Sequence, residues 1–192
     1  QIKNNFPLSS ENYFSDLKLE NKDVFSNSYP DLKLGSVPWW SKENEISFHQ
    51  WDQLDSAKST RKKWATDSSW RCFTLLKSAE SMAQARLKLS SIIVYEAGKT
   101  IKEALGDVDE AIDFIRFYVR ESVKKNNLDL IPLGKVVAIS PWNFPLAIPC
   151  GMAVGPMSVG NHVVLKPAEQ TPLIVDQMAK IFYRAGVPKE VL

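Results

Sequence analysis

Apolar and polar positions divide the chain into three stretches of different rhythm. The first forty or so residues carry short apolar clusters and turn signals such as Tyr29-Pro30-Asp31, with no sustained period, and so predict an extended arm over residues 1–46. From about Ser47 to Asn126 the rhythm is helical: Trp51, Leu54 and Ala57 recur at intervals of three, and Trp64 follows one heptad on. A further helix is expected to bury Phe73, Leu76, Ala79, Ala83 and Leu87 on one stripe, with Leu75, Met82 and Leu89 beside it. Gly98 suits a left-handed helix end, and Thr100 with Glu103 three residues later forms a capping box that opens another helix. Val108, Ala111, Ile112, Ile115 and Val119 give that helix a buried stripe.

Beyond Pro132-Leu133-Gly134 the period changes. Lys135 to Ile139 is a short β-branched run that predicts a fully buried strand. Leu146 to Val159 is small and apolar, Gly160-Asn161 turns the chain, and Val163-Val164-Leu165 is a second strand. Thr171 before Pro172 is an N-cap followed by proline at the first helical position, and Ala185-Gly186 with Pro188 ends that helix. The order β-α-β-α predicts two parallel strands joined by a right-handed crossover.

Composition narrows the class. The 192 residues are 44% hydrophobic and 24% charged, which fits a folded α/β domain and excludes intrinsic disorder. Lys and Arg total 24 against 22 Asp and Glu, a net charge of +2 with no basic block, so no nucleic-acid partner is expected. Cys72 and Cys150 lie far apart, which excludes a disulfide-dense scaffold or a clustered-thiolate zinc site and makes a reducing cytoplasm the expected location. His49 and His162 have no partner at ligand spacing, so no metal is expected. The chain opens on Gln1 with no secretory signal in view, consistent with a piece of something longer. Val136 to Leu165 holds no charged side chain, but prolines 141, 145, 149 and 156 and glycines 151, 155 and 160 argue for a buried α/β core rather than a membrane span. Trp39-Trp40, at the end of the arm, reads either as an interface patch or as an ordinary packing contact.

Ligands in open α/β sheets bind at the carboxyl ends of the strands. The loops leaving the two strands there are Ser140 to Pro145 and Lys166 to Thr171, so Asn143, Lys166 and Glu169 are expected to converge. Pro141 and Pro145 stiffen the backbone on both sides of Asn143, which suits a neutral amide held towards a developing oxyanion; the alternative is that the amide only closes the turn. Lys166 and Glu169 could flank one ligand, a ribose diol being a natural guest, or form a solvated surface pair. Neither Gly-x-Gly-x-x-Gly nor Gly-x-x-x-x-Gly-Lys follows either strand.

The run Ser140-Pro141-Trp142-Asn143-Phe144-Pro145, followed by Gly160 to Pro172 with Leu165-Lys166-Pro167-Ala168-Glu169-Gln170-Thr171-Pro172, resembles the aldehyde dehydrogenase superfamily. Glu96-Ala97-Gly98-Lys99 and Ala111-Ile112-Asp113-Phe114 match it upstream, so the resemblance runs from about Trp51 to Leu192. The Leu146-Ala147-Ile148, Ala168 to Pro172 and Glu110 to Phe114 segments are most similar to the glutamate-semialdehyde (pyrroline-carboxylate) dehydrogenase branch, including the dehydrogenase half of bifunctional proline-utilisation enzymes. The resemblance implies a partial Rossmann-like parallel-sheet cofactor-binding domain: a helical part at 47–127, preceded by the arm, and a first β-α-β-α unit at 128–192, with the catalytic domain absent from the chain.

It also implies an NAD-dependent dehydrogenase, homo-oligomeric as a whole, that oxidises an aldehyde, here glutamate semialdehyde in proline catabolism. Asn143 would be the oxyanion donor, Lys166 and Glu169 would bind the adenosine ribose, and Ile139, Ser140, Pro141 and Trp142 would wall the cofactor and the reacting centre. The cysteine nucleophile and glutamate base of such enzymes belong downstream of this chain; Cys150, Glu96 and Glu169 do not match them. The alternatives are a dehydrogenase for another aldehyde, or a non-catalytic binding or assembly module that retains part of the fold.

Overall fold

The computed structural model describes residues 20–39, 55–125 and 131–192. Trp40, His49, Trp51 and Leu54 lie outside them, as do the side chains of Trp39 and Ala57, so the aromatic arm end and the start of the first helix are not described. The elements are strands β1 (Glu20–Phe25) and β2 (Lys33–Trp39), helices α1 (Asp55–Thr66), α2 (Ser68–Gln84), α3 (Arg86–Ala97) and α4 (Ile101–Lys124), then β3 (Lys135–Ile139), α5 (Ala147–Ser158), β4 (His162–Lys166) and α6 (Pro172–Ala185).

Part of the stretch expected as an arm is extended but paired: β1 and β2 form an antiparallel hairpin with a register shift between Val24 and Phe25. Val24, Leu34 and Val37 are its buried anchors. Its turn caps another element, because the last carbonyls of a helix have no intrahelical donor. Ser26 Oγ donates to Tyr95 O at 2.6 Å, Asn27 N donates to the same oxygen at 3.1 Å, and the Asn27 side-chain amide donates to Glu96 O, all at the end of α3. There Gly98 takes the expected left-handed conformation, φ +71°.

The helical layer departs from the expected stripe. Phe73, Leu76 and Leu87 are exposed, at 68%, 45% and 72%, while Leu75, Ala79 and Met82 are buried together with Arg71, Thr74 and Ser78. Two things conceal the true face. The helix breaks at Ala85, which separates α2 from α3 and their phases. The buried side of α2 is also partly polar: Ser78 Oγ donates to Thr74 O at 2.9 Å, and Arg71 donates to Trp64 O, Ala65 O and Ser158 O, gathering the last carbonyls of α1 and α5. In α4 the expected stripe and the Thr100–Glu103 capping box are both present.

β3 and β4 pair in parallel, Val137 opposite Val164 and Ile139 opposite Lys166, with α5 as the crossover. The Val136–Leu165 run is thereby divided among two strands and a twelve-residue helix, and no described helix is long and apolar enough to cross a membrane. Its small residues let α5 approach α4 closely, where Gly151 faces the Phe114 ring and Gly155 the Tyr118 ring. β3 is not fully buried. Ala138 and Val163 are covered, but Val137 is 57% and Ile139 67% exposed, because side chains alternate and the described residues cover one face of the pair.

Candidate active-site edge

Parallel pairing brings the carboxyl ends of β3 and β4 to one edge, and every candidate residue lies at or just beyond it. Ser140 locks that edge: its N–H donates to Lys166 O at 3.1 Å and its hydroxyl donates to the same oxygen at 3.3 Å, which accounts for its burial. Ile139, Ser140 and Lys166 are therefore neighbours. Pro141 is half-buried, while Trp142, Asn143, Phe144, Lys166 and Glu169 are exposed. The expected convergence is one of placement only. No hydrogen bond or ion pair joins Asn143, Lys166 and Glu169 among the described residues, and their side-chain polar groups have no protein partner there.

The loop around Asn143 is held from the helical side. Lys99, just past the left-handed Gly98, places Nζ 3.1 Å from the Asn143 carbonyl oxygen, 2.9 Å from Asp107 Oδ2 and 4.3 Å from the centroid of the Phe144 ring. Asp107, buried on α4, uses Oδ1 to accept from Leu146 N at 3.3 Å and Ala147 N at 2.7 Å, which caps the start of α5. Sequence reasoning missed both roles. The available signal was the Gly98-Lys99-Thr100 junction, where a helix end and a helix start fix the backbone on both sides of the lysine.

At the start of α6 the expected N-cap position and first-turn proline are both present, but another residue supplies the capping group. Thr171 occupies the N-cap position, but its hydroxyl caps nothing. The buried carboxylate of Glu96 accepts from Leu173 N at 2.6 Å and Ile174 N at 2.8 Å instead. Glu96 thus has both carboxylate oxygens engaged inside the fold. Cys150 is fully buried on α5, its thiol donates to Ala111 O at 3.5 Å, and burial pushes its ionisation well above the ordinary thiol range. Such a thiol is a packing group. His162 opens β4, its N–H donating to Gly134 O at 2.9 Å.

A parallel β-α-β unit with exposed amide, ammonium and carboxylate groups at its carboxyl edge is the arrangement at which open α/β domains bind ligands. The chain belongs to the aldehyde dehydrogenase family, whose sequence pattern matches residues 49–192. It is 44% identical over 143 residues to the bifunctional protein PutA of Escherichia coli, an alignment covering 72% of this chain and 11% of that one. It is 37% identical over 176 residues to 1-pyrroline-5-carboxylate dehydrogenase 1 of Halalkalibacterium halodurans, covering 84% of this chain and 33% of that one. In three dimensions it is similar to 1-pyrroline-5-carboxylate dehydrogenase from Thermus with bound NAD, with a TM-score of 0.79 and 34% identity, over 90% of this chain and 35% of that one. The chain therefore spans from about a tenth to a third of the length of these relatives.

Proposed function

We propose that this chain is the part of an NAD-dependent aldehyde dehydrogenase that carries the first cofactor-binding strands and the oxyanion donor, and that the whole enzyme oxidises L-glutamate γ-semialdehyde to L-glutamate in proline catabolism. In this reading residues 128–192 are the first β-α-β-α unit of the cofactor sheet, residues 47–127 are its helical part, and residues 1–46 precede it. The observation that carries the reading is the exposed, unpaired amide of Asn143 on a braced loop at the carboxyl edge of the parallel pair. The relatives and the Thermus structure, named for pyrroline-carboxylate dehydrogenases, supply the substrate.

The residues present fit NAD. Lys166 and Glu169 offer a cation and a carboxylate with no protein partner among the described residues, beside the exposed apolar surface of Ile139, which suits a ribose diol next to a flat base. Ser140 holds the strand ends in register under them. When bound, NAD supplies the two-electron acceptor. A thiolate elsewhere in the enzyme adds to the aldehyde carbon, and the carbonyl π pair moves to oxygen. Asn143 donates its amide N–H to that oxygen. It does so again when water adds to the thioester, so the residue acts on charge absent from the ground state.

The test is reduction of NAD by glutamate semialdehyde with the full-length protein, and with its Asn143→Ala variant. Turnover that falls roughly a hundredfold or more in the variant supports the reading. Binding of NAD without turnover by the full-length protein overturns it in favour of a non-catalytic module.

A further inference from the structure

The Lys99–Asp107 pair grips the Asn143 loop at both ends. Lys99 Nζ takes the Asn143 carbonyl at 3.1 Å and lies over the Phe144 ring, while Asp107 takes the amides of Leu146 and Ala147. The two side chains meet at 2.9 Å, and they are shielded, Asp107 fully and Lys99 to 15% exposure. One ion pair rooted at the start of α4 therefore fixes the backbone before and after Pro145. Neither group reaches the open edge with a free atom: the carboxylate has both oxygens engaged and the ammonium has two oxygen partners and a ring.

An oxyanion donor works only if its N–H already points to where the charge will develop, and a displacement of about 1 Å costs on the order of a hundredfold in rate. The Asn143 side chain itself is exposed and has no partner to orient it among the described residues, so its direction is inherited from its backbone. We propose that Lys99 and Asp107 are positioning residues for Asn143: the shielded ion pair sets the carbonyl plane at residue 143 and thereby aims the amide at the reacting oxygen. This rests on Asn143 being the oxyanion donor. The device differs from a helix cap, because capping α5 requires only Asp107 Oδ1, whereas Lys99 adds nothing to α5 and bonds residue 143 directly.

A double-mutant cycle in the full-length enzyme, read as the single-turnover acylation rate and as NAD affinity, tests this. Lys99→Met is expected to slow acylation roughly tenfold to a hundredfold and to leave NAD affinity within about twofold, with Lys99→Arg recovering most of the rate. In the Asn143→Ala background the same Lys99→Met change is expected to slow acylation by less than about twofold, because the group it aims is gone. Asp107→Asn keeps an oxygen for the Leu146 and Ala147 amides and breaks the ion pair, and it carries the same cycle if Lys99→Met does not fold. Equal slowing in both backgrounds, or no slowing in the wild-type background, overturns the positioning role while leaving the oxyanion reading intact. An Asn143→Ala enzyme with an unchanged acylation rate overturns the oxyanion reading and the positioning role together.

Discussion

The Glu96 carboxylate, at the end of α3, caps α6 by accepting the Leu173 amide at 2.6 Å and the Ile174 amide at 2.8 Å. The same residue's backbone carbonyl accepts from the Asn27 side chain in the hairpin turn. Three elements distant in sequence meet at one buried glutamate. Helix N-termini favour negative charge, and two amide donors lower the cost of burying it.

Burial nevertheless dominates, pushing Glu96 up to about 8, with the two amides opposing and Asp176 adding to the rise. The folded state then binds this proton more tightly than the unfolded chain, whose carboxyl has its ordinary value of 4.5. The associated stability is fully present below that value and is lost as pH rises through about 8. Glu96→Gln keeps an oxygen towards the amides and removes the titration. Urea unfolding is expected to show the variant gaining on the wild type as pH rises from about 5 to 8, by about 1.4 kcal/mol per pH unit at most. Parallel stability curves would show that Glu96 is ionised throughout.

What could be read from the sequence was what local physics decides. The Thr100–Glu103 box, the left-handed Gly98 and the helix end at Ala185-Gly186 each follow from a few adjacent residues, the α4 stripe and the parallel β3–β4 pair follow from the rhythm and order of successive segments, and all are present. Where a distant partner decides, the pattern misled. The buried face of α2 includes Arg71, whose partners are carbonyls of Trp64, Ala65 and Ser158, so its polarity concealed it and drew attention to Phe73 and Leu76 instead. Thr171 had the right residue type for a cap, but Glu96, far earlier in the chain, took the role. The candidate edge was legible as Asn143, Lys166 and Glu169; the bracing by Lys99 and Asp107 was not, because no spacing links residues 99, 107 and 143.

The α4–α5 contact predicts opposite outcomes for two glycines one turn apart. A Cβ on Gly151 would stand 3.2 Å from the Phe114 ring, tight enough that the ring must give way by a few tenths of an ångström, whereas one on Gly155 would meet the Tyr118 ring at an ordinary 3.5 Å. Gly151→Ala is expected to destabilise the protein by about 1–3 kcal/mol through overpacking. Gly155→Ala is expected to be neutral or to stabilise by up to about 1 kcal/mol, since alanine favours the helix. Thermal unfolding of both variants checks this; equal destabilisation would mean that the interface tolerates neither methyl.

Cys150 offers a separate check on the chemistry assigned to this segment. Its thiol is inaccessible and held protonated by burial, so the native protein should leave it unmodified by iodoacetamide at neutral pH, as read by peptide mass analysis. Cys150→Ser should leave kcat within about twofold while placing a hydroxyl in an apolar site, at a cost of about 1–3 kcal/mol in stability. Loss of turnover with intact folding would make Cys150 the nucleophile.

Cofactor selectivity tests the other half of the edge. Glu169 is exposed beyond β4 with no cation beside it among the described residues, and Lys166 lies three residues earlier, equally unpaired. A carboxylate in that position accepts hydrogen bonds from free ribose hydroxyls and repels a 2′-phosphate, so the full-length enzyme should prefer NAD to NADP. Glu169→Gln removes the repulsion and keeps an acceptor, and is expected to narrow the preference by roughly tenfold in kcat/KM, since one screened charge contact is worth on the order of 1 kcal/mol. Lys166→Ala should weaken NAD binding and leave the acylation rate at saturating cofactor nearly unchanged, the reverse of Asn143→Ala. The contrast follows from what each group is proposed to touch: the ribose is present in the ground state and the transition state alike, whereas the oxyanion exists only in the latter. An enzyme that uses NAD and NADP equally, or a Glu169→Gln variant with unaltered preference, would place the ribose elsewhere on the sheet edge.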